Sequence, residues 1–70
     1  MEQFKEDTLK LYERLTNNGI KPYMFWAGRM AIVSRSICNC SVLQLSHYIE
    51  QLQWVTEQYD NAIVELTEQN

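Results

Sequence analysis

Residues 41–70 read SVLQLSHYIEQLQWVTEQYDNAIVELTEQN, a run with neither Gly nor Pro. Within it Val42, Leu45, Ile49, Leu52, Thr56, Tyr59, Ile63 and Leu66 recur at alternating spacings of three and four residues. That is the a/d pattern of a heptad, with one polar lapse at Thr56. Tyr48, Val55 and Ala62 form a second row beside the seam and widen it into a face. Ser41 followed by Gln44 matches a capping box, in which each side chain satisfies a backbone N–H left free at a helix start. The spacing predicts one helix over 41–67, and roughly 27 residues at 1.5 Å each give about 40 Å.

Working back toward the N-terminus, residues 22–37 hold Tyr23, Met24, Phe25, Trp26, Ala27, Met30, Ala31, Ile32 and Val33. The length and the Met and Ala content predict a helix rather than a strand. It is apolar nearly all round, and such a helix is expected to be buried on more than one side. Ala27, Gly28 and Ala31 sit within one turn and would let another helix approach closely. Residues 2–16 place Phe4, Thr8, Leu11, Tyr12 and Leu15 in a single stripe at helical spacing. Asn17-Asn18-Gly19 then supplies residues that tolerate left-handed backbone, with Gly19 the natural terminator. Pro22 suits the first turn of the next helix, where its missing N–H has no partner to lose. These signals predict an all-α chain of three helices, short, medium and long, over 2–16, 22–37 and 41–67, packed antiparallel as a single domain over 1–70.

Seventy residues with 46% apolar and 21% charged side chains, including two Trp, four Tyr and two Phe, form too hydrophobic a chain to be disordered. A chain of this size buries only about 60% of its unfolded surface. Its large side chains, on a wide third-helix face and an apolar second helix, exceed what the first helix covers. A second chain is therefore expected to complete the bundle, either another copy or a different protein. The reading is a dimeric helical bundle with Met30, Val33, Leu45, Ile49, Leu52, Tyr59, Ile63 and Leu66 at the dimer interface. Aromatic residues dominate binding energetics where they stand at a surface, so Tyr23, Phe25, Trp26 and Trp54 are expected to contact the partner. Trp54 is included because it lies next to the heptad seam rather than in it.

Charge is distributed in blocks. Residues 1–18 carry three bases and four acids, 19–40 three bases and no acid, and 41–70 five acids and no base, for a net −3. Antiparallel packing would bring Arg29 and Arg35 near acids at the core edges. The acidic face formed by Glu50, Glu57, Asp60, Glu65 and Glu68 admits a second reading, an inhibitor that imitates nucleic acid and occupies the basic groove of a DNA- or RNA-handling enzyme. Direct nucleic-acid binding is disfavoured, because a helix-turn-helix would present that acidic third helix to phosphates.

Catalytic chemistry has little to draw on. His47 lies three residues from Glu50, a spacing compatible with an acid–base pair and equally with an ordinary polar helix flank. No Gly-rich phosphate loop exists, and no nucleophile–base–orienter set can be assembled. Cys38, Cys40 and His47 are three candidate metal ligands where a structural zinc site needs four, and a thiol or metal switch at Cys38 and Cys40 is a third reading. The simpler expectation is a packed turn, with Cys38 inward and Cys40 against Leu45. No enzyme, cofactor or metal is expected. The longest apolar stretch, 23–33, is interrupted by Gly28 and Arg29 and falls short of the roughly 20 residues a membrane span requires. The charged N-terminus and two closely spaced thiols fit a cytoplasmic protein.

Overall fold

The computed structural model describes residues 1–68 and is all-α. Helix α1 spans Glu2–Asn17, α2 Pro22–Asn39 and α3 Val42–Glu68, and they form a small three-helix bundle. Phe4 of α1 meets Trp54 of α3, while Leu9 and Tyr12 share a cavity with Gln58, Asn61 and Glu65. α1 and α3 therefore run the same way. Tyr23 at the start of α2 lies beside Glu65 and Leu66, whereas Arg35 and Asn39 near its end lie beside Tyr48. α2 runs opposite to both.

The ends follow from local chemistry. Gly19 adopts φ +102°, and the N–H groups of Gly19 and Ile20 donate to the carbonyls of Thr16 and Leu15, each at 3.1 Å. This is a Schellman closure with Gly19 in the left-handed position. Pro22 occupies the first turn of α2 as expected. α2 continues two residues beyond its expected end, to Asn39, whose side-chain amide donates to the Arg35 carbonyl at 3.1 Å. α3 begins at Val42, one residue late, and Gln44 N–H meets the Ser41 backbone carbonyl at 3.1 Å. The capping box is thus replaced by a backbone bond.

The core is aromatic, and all three helices supply it. Trp26 stacks on Tyr12 at 5.4 Å with 26° between the ring planes, and meets Phe25 and Trp54 edge-on at 4.9 and 5.5 Å. Tyr12 also meets Phe25 edge-on, and Phe4 closes the cluster against Trp54. Each such pair contributes about 0.5–1.5 kcal/mol beyond the area it buries. Val33, Val55 and Ala62 complete the buried cluster, with Leu52, Tyr59 and Ile37 packed against it. Thr8 is fully buried as well, and its hydroxyl finds no hydrogen-bond partner.

The register of α3 differs from the expected seam. Its buried residues are Gln51, Val55 and Ala62, so two of the three residues expected as a second row are part of the core. Val42 and Leu66, the two ends of the expected seam, are exposed, as is Ile49. Shape follows from unequal helix lengths. α1 has 16 residues and α3 has 27, so α1 at 1.5 Å per residue is too short, at roughly 24 Å, to cover all of α3. The molecule measures 43 × 22 × 18 Å.

Candidate functional site

α2 has two apolar faces, and only one of them is used by the fold. Phe25, Trp26 and Val33 point inward, at 6, 4 and 3% exposure. Met24 and Ile32 stand 54 and 55% exposed on the outer side, with Ala27, Gly28 and Ala31 also exposed there. The expectation that an all-apolar helix is buried on several sides is met on the inner side alone.

The outer side opens onto a groove between α1 and α2 of about 350 Å³, lined by Leu11, Leu15, Ile20, Met24, Gly28 and Ile32, with Phe25 and Arg29. The turn builds one wall of it. A Schellman closure brings the residue after the glycine against the helix it terminates, and Ile20 and Leu15 accordingly line the groove together. Arg29 lies over the Phe25 ring at 5.9 Å, and its Nε is sealed from water without a hydrogen-bond partner. Ile32 also lines an adjoining cavity of about 500 Å³ with Ala31, Arg35, Ser36, Asn39 and Tyr48. The two depressions share Ile32 and together make a trough, apolar between α1 and α2 and more polar beyond Ile32, with Arg29 and Arg35 along it.

The expected ion pairs between Arg29 or Arg35 and core-edge acids do not form. Among the described residues the ion pair present is Lys10–Glu6, at 3.6 Å on the exposed side of α1. Arg35 is exposed, and Arg29 rests on an aromatic face rather than a carboxylate. Glu50, Glu57 and Asp60 are exposed on α3, and Glu65 lies with Lys21 and Tyr23 at the start of α2, at the other end of that helix from Arg35.

No protein-family model matches the chain, and no curated protein or solved structure shows significant similarity to it.

Of the expected partner contacts, Trp26 is corrected by its burial at 4% exposure, and Phe25, at 6%, belongs to the core and reaches the groove only as part of its lining. Trp54 and Tyr23 are half-buried and packed on the core, Trp54 between Phe4 and Trp26 with Lys5 Nζ 5.7 Å above its ring. Of the expected dimer interface, Val33 is interior, and Met30, Leu45, Leu52, Tyr59 and Ile63 are half-buried. Ile49 and Leu66 remain exposed. These eight residues do not form one open surface. The residues that do were missed by the aromatic criterion: Met24, Ile32, Ile20, Leu11 and Leu15 are aliphatic. Their signal in the sequence was the small triplet Ala27, Gly28 and Ala31, which marked a face built for close approach.

The acidic residues Glu50, Glu57, Asp60, Glu65 and Glu68 are all exposed. His47 lies 3.1 Å from the Gln51 amide nitrogen, one turn on, and meets Tyr48 edge-on; its side-chain partner is thus Gln51 and not Glu50. Cys38 is exposed, contrary to the inward placement expected for it, and Cys40 donates its thiol to the Ile37 carbonyl at 3.3 Å. Among the described residues no three His, Cys, Asp or Glu side chains come together as a metal site. No described helix is long and apolar enough to cross a membrane.

Proposed function

We propose that this chain is a non-enzymatic protein-binding module whose working surface is the trough between α1 and α2. One observation carries the reading: the largest apolar side chains of the outer α2 face, Met24 and Ile32, are left in water beside a preformed groove. Contiguous apolar surface of this kind marks interaction sites in soluble proteins. The aromatic cluster holds the two walls apart and fixes their geometry, while the aliphatic rim makes the contact. Helix-in-groove recognition works this way, with a rigid trough receiving side chains at helical spacing. Free thiols at Cys38 and Cys40 support a reducing, cytoplasmic setting.

A second reading has its own observation. Five carboxylates stand exposed on α3 without an ion pair among the described residues, as an acidic nucleic-acid mimic requires. The two readings use opposite sides of the molecule. A photo-crosslinking residue placed at Met24 or at Glu57, in cells of the protein's source, separates them. The trough reading expects protein adducts from position 24 and none from 57. Adducts from 57 alone, failing to form when the irradiation is repeated in lysate at high salt, would replace it with the mimic, and adducts from neither position would remove both.

A further inference from the structure

Resting on the trough as a docking site, we propose that its occupant is an acidic, amphipathic helix of a different protein, and not a second copy of this chain.

Charge is the first argument. Residues 19–40 contain three bases and no acid. Arg29 lines the groove and Arg35 the cavity that shares Ile32 with it. Neither guanidinium has an ion-pair partner among the described residues. The unpartnered Nε of Arg29 adds a donor sealed from water. Carboxylates flanking an incoming apolar stripe would take both guanidiniums in charge-assisted hydrogen bonds, the strongest such bonds available at a surface.

Shape is the second argument, and it specifies a helix. The trough lies between two helices, where a further helix of a bundle seats its apolar stripe. Gly28 is an exposed part of its lining, and a methyl group there would meet nothing within 4 Å. The fold of this chain therefore makes no use of the glycine, although glycine inside a helix is destabilising relative to alanine. With Ala27 and Ala31 exposed beside it, it leaves room for a second backbone to come close.

A second copy fits poorly on both possible geometries. A two-fold contact places the same patch on both partners, so it would gather Arg29 and Arg35 from each copy with no acid from α2. A head-to-tail contact would have to offer the acidic outer side of α3. α3 carries its exposed apolar residues toward its two ends, Val42, Leu43 and Ile49 at one and Val64 and Leu66 at the other, with no exposed apolar side chain over 50–63.

The test selects helices from a displayed library against the whole chain. The library fixes a Leu and Ala stripe and randomises the flanking positions among Glu, Gln and Lys. We expect Glu to be enriched at the flanks, and the enrichment to vanish on a chain carrying Met24→Gln with Ile32→Gln. Affinity of a selected helix should fall about tenfold or more with Arg29→Gln and Arg35→Gln combined, and should weaken as salt rises. Enrichment of Lys, no flank preference, or no selected binder at all would overturn the proposal. So would sedimentation showing a stable dimer whose formation protects Met24 from oxidation. If adducts at position 24 persist while the acidic preference is missing, only this proposal fails. If those adducts are missing too, the docking reading falls with it.

Discussion

Phe25, Trp26 and Val33 on the inner face of α2 are nearly closed to water, whereas Met24, Ala27, Gly28, Ala31 and Ile32 on the outer face are open to it. The two faces belong to one helix and are both apolar. They differ in what they meet. Inner rings interlock with Tyr12 of α1 and Trp54 of α3, so their burial is complete within one chain. Outer side chains meet no third wall, because three helices enclose one core and leave the far side of α2 uncovered. On the function proposed above, the outer face is the one a partner completes.

The comparison is tested most severely at Trp26. Replacing it with Ala should cost about 3–5 kcal/mol, comparable to all the stability a core this size provides. Urea titration followed by near-ultraviolet circular dichroism should show the variant largely unfolded at zero denaturant. A retained native spectrum would mean that the aromatic cluster does not hold the helices together. Thr8→Val should act in the opposite direction. The buried hydroxyl has no partner, and an unsatisfied buried polar group costs about 1–3 kcal/mol. A raised urea midpoint is expected, and a lowered one would show that the hydroxyl is satisfied in solution.

The outer face gives smaller effects on stability and larger ones on binding. Gly28→Ala adds a methyl group into open space and should raise stability by up to about 1 kcal/mol, read as a higher thermal midpoint. Destabilisation would place an unseen neighbour at that position. Met24→Gln with Ile32→Gln should change stability by only about 0.5 kcal/mol per site, yet remove adduct formation from a crosslinker at position 35. Unchanged adducts would move the contact off this face.

Much of the fold was legible because its signals are local. The stripe of α1, the stop at Gly19 and the start at Pro22 each depend on residues within a turn or two of one another. The register of α3 was not. The seam is off the core from its first position, where Val42 is 87% exposed, and which of two adjacent apolar rows turns inward is decided by α1 and α2 rather than by spacing within α3. A hydrophobic count also passes over Gln51, which is polar and buried. The candidate site was half legible. Surplus apolar surface and the small triplet on α2 were visible in the sequence. The assignment of that surplus to Phe25, Trp26 and Trp54 failed because ring contacts between distant helices decide which aromatics are interior. Pairing of Arg29 and Arg35 with acids was misjudged for the same reason, since charge blocks along a chain do not state which faces those blocks occupy.

The three methionines provide the most direct test. Met24 lines the trough, Met30 packs on the core and Met1 precedes α1. With carbon-13 methyl labelling, addition of a selected acidic helix should shift and broaden the Met24 signal while leaving Met1 in place. A Met24 methyl that stays unmoved while the complex forms would contradict the assignment of the trough as the binding surface.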